Sequence, residues 1–105
     1  MAVVTIYVVF ANIMESRRIG RVVVEERLAA CVNTLGAVRS IYRWQGKVEQ
    51  KFEAAALFKT TAAAADRLIA RIAELHSYDV PCIEAWPVEP VLRGYAHWVE
   101  DSVAG

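Results

Sequence analysis

The stretch VRSIYRWQGKVEQKFEAAALFKT, residues 38–60, decides the fold of this chain. Gln45-Gly46 lies between two segments rich in β-branched and aromatic residues, which is typical of the turn of a hairpin. Side chains alternate between the two faces of a strand, so one face of the returning segment carries Phe52, Ala54, Ala56 and Phe58. The other face carries Glu53, Ala55, Leu57 and Lys59. Because buried charges are costly unless paired, this second face is predicted to be neither plain core nor plain surface.

The segment before the hairpin predicts a strand followed by a helix. Residues 3–10 form a near-continuous apolar run, which is typical of a central strand buried on both faces. Asn12, with Glu15 three residues later, predicts a capped helix from about Ile13 to Ala29. Gly20 lies beside the apolar stripe of that helix and costs about 1 kcal/mol relative to alanine unless close packing compensates.

The remaining segments complete a split βαβ arrangement. Cys31–Leu35 predicts the start of a second strand, with a bulge or a bend at Gly36, and residues 62–76 predict an amphipathic helix. Residues 82–88 predict a fourth strand, and residues 94–103 a short terminal helix. This order is that of an α+β, ferredoxin-like fold with a long hairpin and a C-terminal helix. Two helices cover one face of its antiparallel sheet and leave the other face bare in a monomer.

Length and composition narrow the class of protein. The chain of 105 residues is predicted to form one domain, residues 1–105. Twelve basic residues balance twelve acidic ones, so no basic surface for nucleic acid is indicated. The apolar start is too short to span a bilayer and follows no basic segment, so we expect neither a membrane anchor nor a signal peptide. Two cysteines far apart in sequence predict a reduced, cytoplasmic protein. The 56% hydrophobic content and the bare sheet face predict an oligomer.

Five blocks of the sequence resemble the CutA divalent-cation tolerance family over nearly the whole chain. They are ERLAACVN (26–33), SIYRWQGKVEQ (40–50), KT (59–60), HSYDVPCI (76–83) and YAHW (95–98). The resemblance implies a homotrimer of ferredoxin-like subunits, related in architecture to PII signalling proteins, in which strands of neighbouring subunits pair. It also implies a link to tolerance of divalent metals, with copper bound by some members, and no catalytic reaction.

The chain departs from the family pattern at potential metal ligands. The common motif HPY-x-VP-E is here HSYDVPC, so serine replaces proline at Ser77 and cysteine replaces the acid at Cys82. The first strand ends in Thr-Cys-Pro or Thr-Ala-Pro in many members and in Val-Phe-Ala here, at residues 9–11. Leu75 stands where some members have a second histidine. At least two potential copper ligands of the family are therefore absent.

Three residues are the candidate ligands for copper or another divalent cation: Cys31, His76 and Cys82. A thiolate suits soft metals, and a neutral imidazole is a common ligand. The alternatives are that Cys31 is a small core residue and that His76 is favoured by the dipole at a helix C-terminus. Cys31 and Cys82 begin strands at opposite edges, so no disulfide is predicted within one chain. Between subunits of a trimer, a thiol pair or a Cys–His–Cys cluster is a hypothesis.

Other side chains are candidates for a pocket or an interface. Glu53, Lys59 and Tyr78 are predicted to line a small pocket between subunits, the alternative being an intersubunit ion pair without a ligand. Large aromatic side chains more often anchor cores and interfaces than bind ligands. Here they are Tyr42, Trp44, Tyr78, Trp86 and Trp98.

These observations favour a cytoplasmic, trimeric, non-enzymatic metal-binding protein. One alternative is a PII-like sensor of a small molecule or anion, served by Lys59, Arg39 and Arg43, although no glycine-rich phosphate loop is present. Another is a stable trimeric scaffold for a partner protein. An enzyme is disfavoured, because one carboxylate, one lysine and one histidine do not by themselves define a reaction.

Overall fold

The computed structural model of the protein describes residues 2–104. Within them, the elements follow as β1 (Val3–Phe10), α1 (Ile13–Glu25), β2 (Cys31–Trp44), β3 (Lys47–Thr61), α2 (Ala62–Leu75), β4 (Ile83–Val88) and α3 (Arg93–Val103). All neighbouring strands are antiparallel, in the spatial order β2-β3-β1-β4. This order confirms the predicted ferredoxin-like α+β fold, with β1 in the centre and β2 and β4 at opposite edges.

The main hydrophobic core lies between the sheet and the helices α1 and α2. Alternate residues of β1 and β3 point toward the helices and meet the apolar stripe of each helix. The cluster includes Ile6, Val8, Phe10, Ile19, Val23, Phe58, Leu68 and Ile72, each 0% exposed. Burying one such side chain contributes about 1.5–3 kcal/mol, so this layer is the main source of hydrophobic stabilisation in one subunit.

The third helix packs on the opposite face of the sheet, at one end. Val3 of β1, which points away from α1 and α2, forms a second buried cluster with Ala96 and Val99 of α3. The face predicted to be bare is therefore partly covered by the terminal helix, while Trp98 on the same helix remains 45% exposed. None of the helices of residues 2–104 is long and apolar enough to span a membrane.

The first helix ends at Glu25, four residues before the predicted end at Ala29. Arg27 has a φ of 62°, a left-handed conformation that does not continue the helix. Its guanidinium donates hydrogen bonds of 2.7 Å to the Ala104 carbonyl and 3.1 Å to the Asp101 carbonyl, at the C-terminal end of α3. A contact distant in sequence thus accompanies the early end of α1, which no local pattern predicts.

The hairpin turn forms at the predicted Gln45-Gly46 step. The two residues have positive φ values of 50° and 81°, as two-residue turns of type I′ require. The predicted bulge is also confirmed, because the pairing of β2 with β3 shifts between Thr34 and Gly36. β1 pairs with β3 only from Ala54 to Thr61, so residues 38–53 form a two-stranded extension beyond the sheet. We call this extension the arm.

The arm exposes large apolar side chains. Phe52 lies on the same face of β3 as Ala54, Ala56 and Phe58, as predicted. It is nevertheless 65% exposed, because it lies where β3 pairs with β2 alone. Three further apolar residues of the arm are similarly exposed: Ile41, Trp44 and Val48. A two-stranded ribbon is marginally stable in water by itself. The arm therefore presents the kind of surface that another subunit would cover.

Close packing at Gly20 leads to a first prediction. A Cβ atom at this position would lie 2.9 Å from Val32 Cγ1, so either the β-branched valine or the helix must shift. We expect Gly20→Ala to lower the free energy of unfolding by about 1–2 kcal/mol, because overpacking outweighs the gain in helix propensity. Gly94→Ala is the matched control, since nothing lies within 4 Å of a Cβ there, and it should be neutral or stabilising. Chemical denaturation measures both variants, and a stabilised Gly20→Ala would contradict the close packing.

Candidate functional site

A groove of about 770 Å³ lies on the sheet face away from α1 and α2, where the arm meets the loop after α2. The arm forms one wall, and the loop with the end of β1 forms the other. The lining residues are Val9, Ser40, Tyr42, Trp44, Glu49, Lys51, Glu53, Tyr78, Asp79, Val80 and Cys82. This groove brings together several candidates predicted from the sequence: Tyr42, Trp44, Glu53, Tyr78 and Cys82.

Glu53 is the buried acid of the groove, with 8% of its surface exposed. The Tyr78 hydroxyl donates a 2.7 Å hydrogen bond to Glu53 Oε2, and Lys51 Nζ lies 3.7 Å from the same oxygen. The Lys51 ammonium also lies 4.4 Å from the ring centroid of Tyr78 and 5.8 Å from that of Tyr42. Burial raises the pKa of Tyr78, and the contact with Tyr78 raises the pKa of Lys51. Both side chains therefore keep their protons at neutral pH.

His76 follows α2, and both of its ring nitrogens are engaged by groups of the same chain. Nε2 lies 2.8 Å from the Val9 carbonyl oxygen, and Nδ1 accepts a 3.0 Å hydrogen bond from the Tyr78 amide. These partners assign a neutral ring with its proton on Nε2. The ring stacks on Phe10 with centroids 5.1 Å apart. In this arrangement neither nitrogen is free to bind a metal, and the ring holds Tyr78 at the groove.

Glu15 holds the other side of the same loop. Its Oε1 accepts a 3.0 Å hydrogen bond from the Ala11 amide, and its Oε2 accepts one of 2.9 Å from the Ser77 amide. The predicted cap is confirmed, since Asn12 Oδ1 accepts a 2.8 Å hydrogen bond from the Glu15 amide. Burial raises the pKa of Glu15, but the hydrogen bonds from Ser77 and Ala11 outweigh burial and leave the pKa below its ordinary value. The ionised carboxylate therefore positions the loop.

The replacement of proline by Ser77 acquires a structural role through this contact. Proline, which the common family motif has at this position, carries no amide hydrogen. Only a residue other than proline donates the hydrogen bond that Glu15 Oε2 accepts here. The departure from the motif thus ties the loop that carries Tyr78 to the start of α1.

Cys82 carries an exposed thiol at the rim of the groove, just before β4. Its backbone is anchored to the end of β1, because the Val9 amide donates a 3.2 Å hydrogen bond to the Cys82 carbonyl. Partial burial and the nearby carboxylates of Glu84 and Glu53 raise the pKa of the thiol. A metal ion that binds this sulfur must displace a proton, so its affinity is expected to increase with pH.

Cys31, Lys59 and Trp98 lie at another end of the sheet. Cys31 begins the edge strand β2 opposite Lys59 of β3, and its sulfur lies 3.6 Å from the Tyr95 hydroxyl of α3. Trp98 packs beside Tyr95, with ring centroids 5.7 Å apart. Burial, followed by the contact with Cys31, raises the pKa of Tyr95 to about 12.

Two separations within one subunit follow from this placement. Five residues of extended strand separate Glu53 from Lys59, which places their backbones about 20 Å apart. The chain by itself therefore does not bring them to one pocket, and the pocket between subunits stays a prediction. Glu53 is paired instead with Lys51 of its own strand. Cys31 begins β2 and Cys82 directly precedes β4, so the two thiols lie at opposite edges of the sheet, as predicted.

The groove supplies suitable donors for a divalent cation without completing a site. No three histidine, cysteine, aspartate or glutamate side chains of residues 2–104 are placed to hold a metal ion together. Three carboxylates and a thiol nevertheless line the groove beside a single basic residue, Lys51. Carboxylate and thiolate groups both ligate divalent ions. The single chain therefore offers groups of suitable chemistry for such an ion, but too few of them to hold it.

Three charged residues of the groove are absent from the sequence-based predictions: Glu49, Lys51 and Asp79. For Glu49 and Lys51 a signal was available, because strand alternation places them on the same face as Glu53. Asp79 lies in the loop after α2, whose path across the sheet depends on contacts made by Glu15 and His76. No local pattern specifies that path.

The sequence and the fold both resemble known proteins. The sequence profile of the family described as CutA1 divalent ion tolerance protein matches residues 4–102. The divalent-cation tolerance protein CutA of Thermus thermophilus is 45% identical over 87 residues, which cover 83% of this chain and 84% of that protein. Its namesake in Thermotoga maritima is 39% identical over 100 residues, which cover 95% and 98%. The structure of the periplasmic divalent cation tolerance protein CutA from Archaeoglobus fulgidus gives a TM-score of 0.94 at 32% identity, over 97% of this chain and 99% of that one.

Proposed function

Because this chain belongs to the CutA1 divalent ion tolerance protein family, we propose that it is a homotrimer that binds divalent cations, copper first, at or near its subunit interfaces. One observation carries the proposal: three carboxylates and a thiol line the groove around a single lysine. A concave surface with this balance of charges attracts cations. Tolerance of divalent cations is the property for which the family is named.

The exposed surfaces of one subunit support the trimer. Within residues 2–104, the edge strands β2 and β4 have no neighbour on their outer sides, and open edges favour pairing with strands of another chain. The arm adds exposed Ile41, Trp44, Val48 and Phe52. A second subunit that pairs with an edge and covers the arm would bury these groups, as the resemblance to trimeric CutA proteins implies.

Cys82 is the ligand that we place first. Its thiol is exposed, lies at the rim of the groove and borders an open edge of the sheet. Cys31 begins the opposite open edge, so edges that meet between subunits would bring two sulfurs to one interface. Both nitrogens of His76 are engaged within the subunit. We therefore assign His76 the role of holding Tyr78 and the loop beside the groove.

The alternative of an anion sensor receives less support from the groove. Three of its four charged lining residues are acidic, and Lys59 lies elsewhere on the sheet. Arg39, another residue of that alternative, lies over the ring of Phe52, with its guanidinium carbon 5.0 Å from the centroid. Our proposal includes no catalytic step. It places the protein in the cytoplasm, where two free thiols stay reduced.

A calorimetric titration of the reduced protein with Cu(I) and with Cu(II) tests the metal proposal. We expect Cys82→Ala to weaken copper binding by about 10–100-fold, since even the loss of a residue that only supports a ligand has effects of that size. Affinity in the wild type should increase with pH, because the thiol must lose its proton. Cys31→Ala and His76→Ala then show whether the second edge and the loop contribute.

Glu100→Gln is the control for this titration, because Glu100 is an exposed acid on α3, outside the groove. It should bind copper as the wild type does. Native mass spectrometry of the same samples should show three subunits. Copper binding that is absent, or that is the same in Cys82→Ala and Cys31→Ala as in the wild type, would contradict the metal proposal.

A further inference from the structure

We propose that the groove also binds an organic polyammonium ion, a linear alkyl chain that carries two or more protonated amines. The protein already places one alkylammonium group there, on Lys51. Its Nζ lies 4.4 Å from the ring centroid of Tyr78, 5.8 Å from that of Tyr42 and 3.7 Å from Glu53 Oε2. Aromatic faces combined with a carboxylate are the means by which proteins recognise alkylammonium ligands.

The groove offers more room and more negative charge than Lys51 uses. Its volume of about 770 Å³ falls within the range of small-molecule sites, about 300–1,000 Å³. Glu49 and Asp79 line it and take part in no ion pair within the described part of the chain. Space and negative charge thus remain for a ligand.

The aromatic rings around Lys51 favour an organic cation over an inorganic ion in this part of the groove. An ion such as Mg²⁺ is held by oxygen ligands and gains little from aromatic walls, whereas methylene groups pack on rings and ammonium groups lie over them. Glu49 is the register partner of Tyr42 across the arm. A chain lying along Tyr42, with one ammonium near Glu49 and another near Glu53, would pair with both carboxylates.

Lys51 is the internal competitor of such a ligand. Its ammonium holds the position beside Glu53 and the two tyrosine rings, and it must move away when a ligand amine takes that position. Removal of the lysine charge should therefore strengthen ligand binding. If Lys51 only supported the shape of the groove, its removal would instead weaken ligand binding. The direction of the change in affinity therefore shows whether Lys51 competes with the ligand or supports the groove.

Isothermal titration of the intact, reduced protein with spermidine tests the proposal, with Mg²⁺ as a probe of charge alone. We expect saturable spermidine binding that weakens about tenfold in Glu53→Gln and about three- to tenfold in Tyr42→Leu. Lys51→Met should bind several times more tightly than the wild type. Glu100→Gln is the matched loss of an acid outside the groove and should leave binding unchanged.

Cys82→Ala separates this inference from the proposed function, because it should weaken copper binding by about 10–100-fold and change spermidine affinity little, since no ligand amine is placed at the thiol. Spermidine binding that is not saturable at millimolar concentration, in both the wild type and Lys51→Met, would overturn the proposal. Equal affinity for Mg²⁺ together with an unchanged affinity in Tyr42→Leu would also overturn it, since charge alone would then explain the binding. If Glu53→Gln fails to assemble, Lys51→Met decides, and weaker binding in that variant would overturn the proposal.

Discussion

Replacement of Phe10 by alanine should lower the free energy of unfolding by about 3–5 kcal/mol. Phe10 is 0% exposed at the end of β1, where its ring centroid lies 6.1 Å from that of Phe58 and 5.1 Å from that of His76. Alanine leaves a cavity beneath the histidine that holds Tyr78 at the groove. We therefore expect the Tyr78 amide, which donates to His76 Nδ1, to exchange its hydrogen with solvent faster.

Phe10→Leu separates the loss of volume from the loss of the stacked ring. Leucine keeps most of the apolar volume and should cost only about 1–1.5 kcal/mol, while the stacking on His76 is lost. Urea denaturation of both variants is carried out at one protein concentration, because the stability of the proposed trimer would depend on concentration. The proposal that the core residue Phe10 supports the groove through His76 would be contradicted by a cost below about 1.5 kcal/mol for Phe10→Ala. Unchanged hydrogen exchange of the Tyr78 amide in both variants would contradict it as well.

The sheet could be predicted because the patterns that specify it are local. The apolar run of β1, the alternation in β3 and the turn at Gln45-Gly46 each depend on residues close together in sequence. The end of α1 could not be predicted in the same way. Arg27 stops that helix in a left-handed conformation and is held by the Ala104 carbonyl, 77 residues away. Phe52 is a second example. Strand alternation correctly predicts the face of β3 on which it lies, but its exposure depends on where β1 stops pairing with β3, which alternation does not predict.

The groove could be predicted only in part. Alternation places Glu53 on the face that forms the groove, but a shared face does not imply contact, and its partner is Lys51 instead of Lys59. His76 lies at the predicted helix end, yet its nitrogens are engaged by the Tyr78 amide and by the Val9 carbonyl, 67 residues distant in sequence. Long-range contacts of this kind decide which candidate ligands are available.

Replacement of Glu15 by alanine should lower the free energy of unfolding by about 2–5 kcal/mol, because two partly buried hydrogen bonds to its charged carboxylate, from the amides of Ala11 and Ser77, are lost. Glu15→Gln should cost about 1–3 kcal/mol, since its single carbonyl oxygen satisfies one amide and its NH₂ group faces the other. Glu25→Gln on the same helix is the matched control. Its carboxylate is 63% exposed and lies 3.5 Å from Arg21 Nε, so the change should stay within about 0.5 kcal/mol.

The pH dependence of the Glu15 variants tests whether the ionised carboxylate is the form that binds the loop. The pKa of Glu15 in the folded protein lies below its ordinary value of 4.5, so folding favours the ionised form. Its contribution to stability is fully present above the ordinary pKa and is lost as the pH falls through the lower pKa of the folded state. The stability difference between the wild type and Glu15→Gln should therefore be constant near neutral pH and shrink below about pH 4.5. A difference that persists unchanged in acid, or that is no larger than the effect of Glu25→Gln, would show that the amides of Ala11 and Ser77 do not depend on this charge.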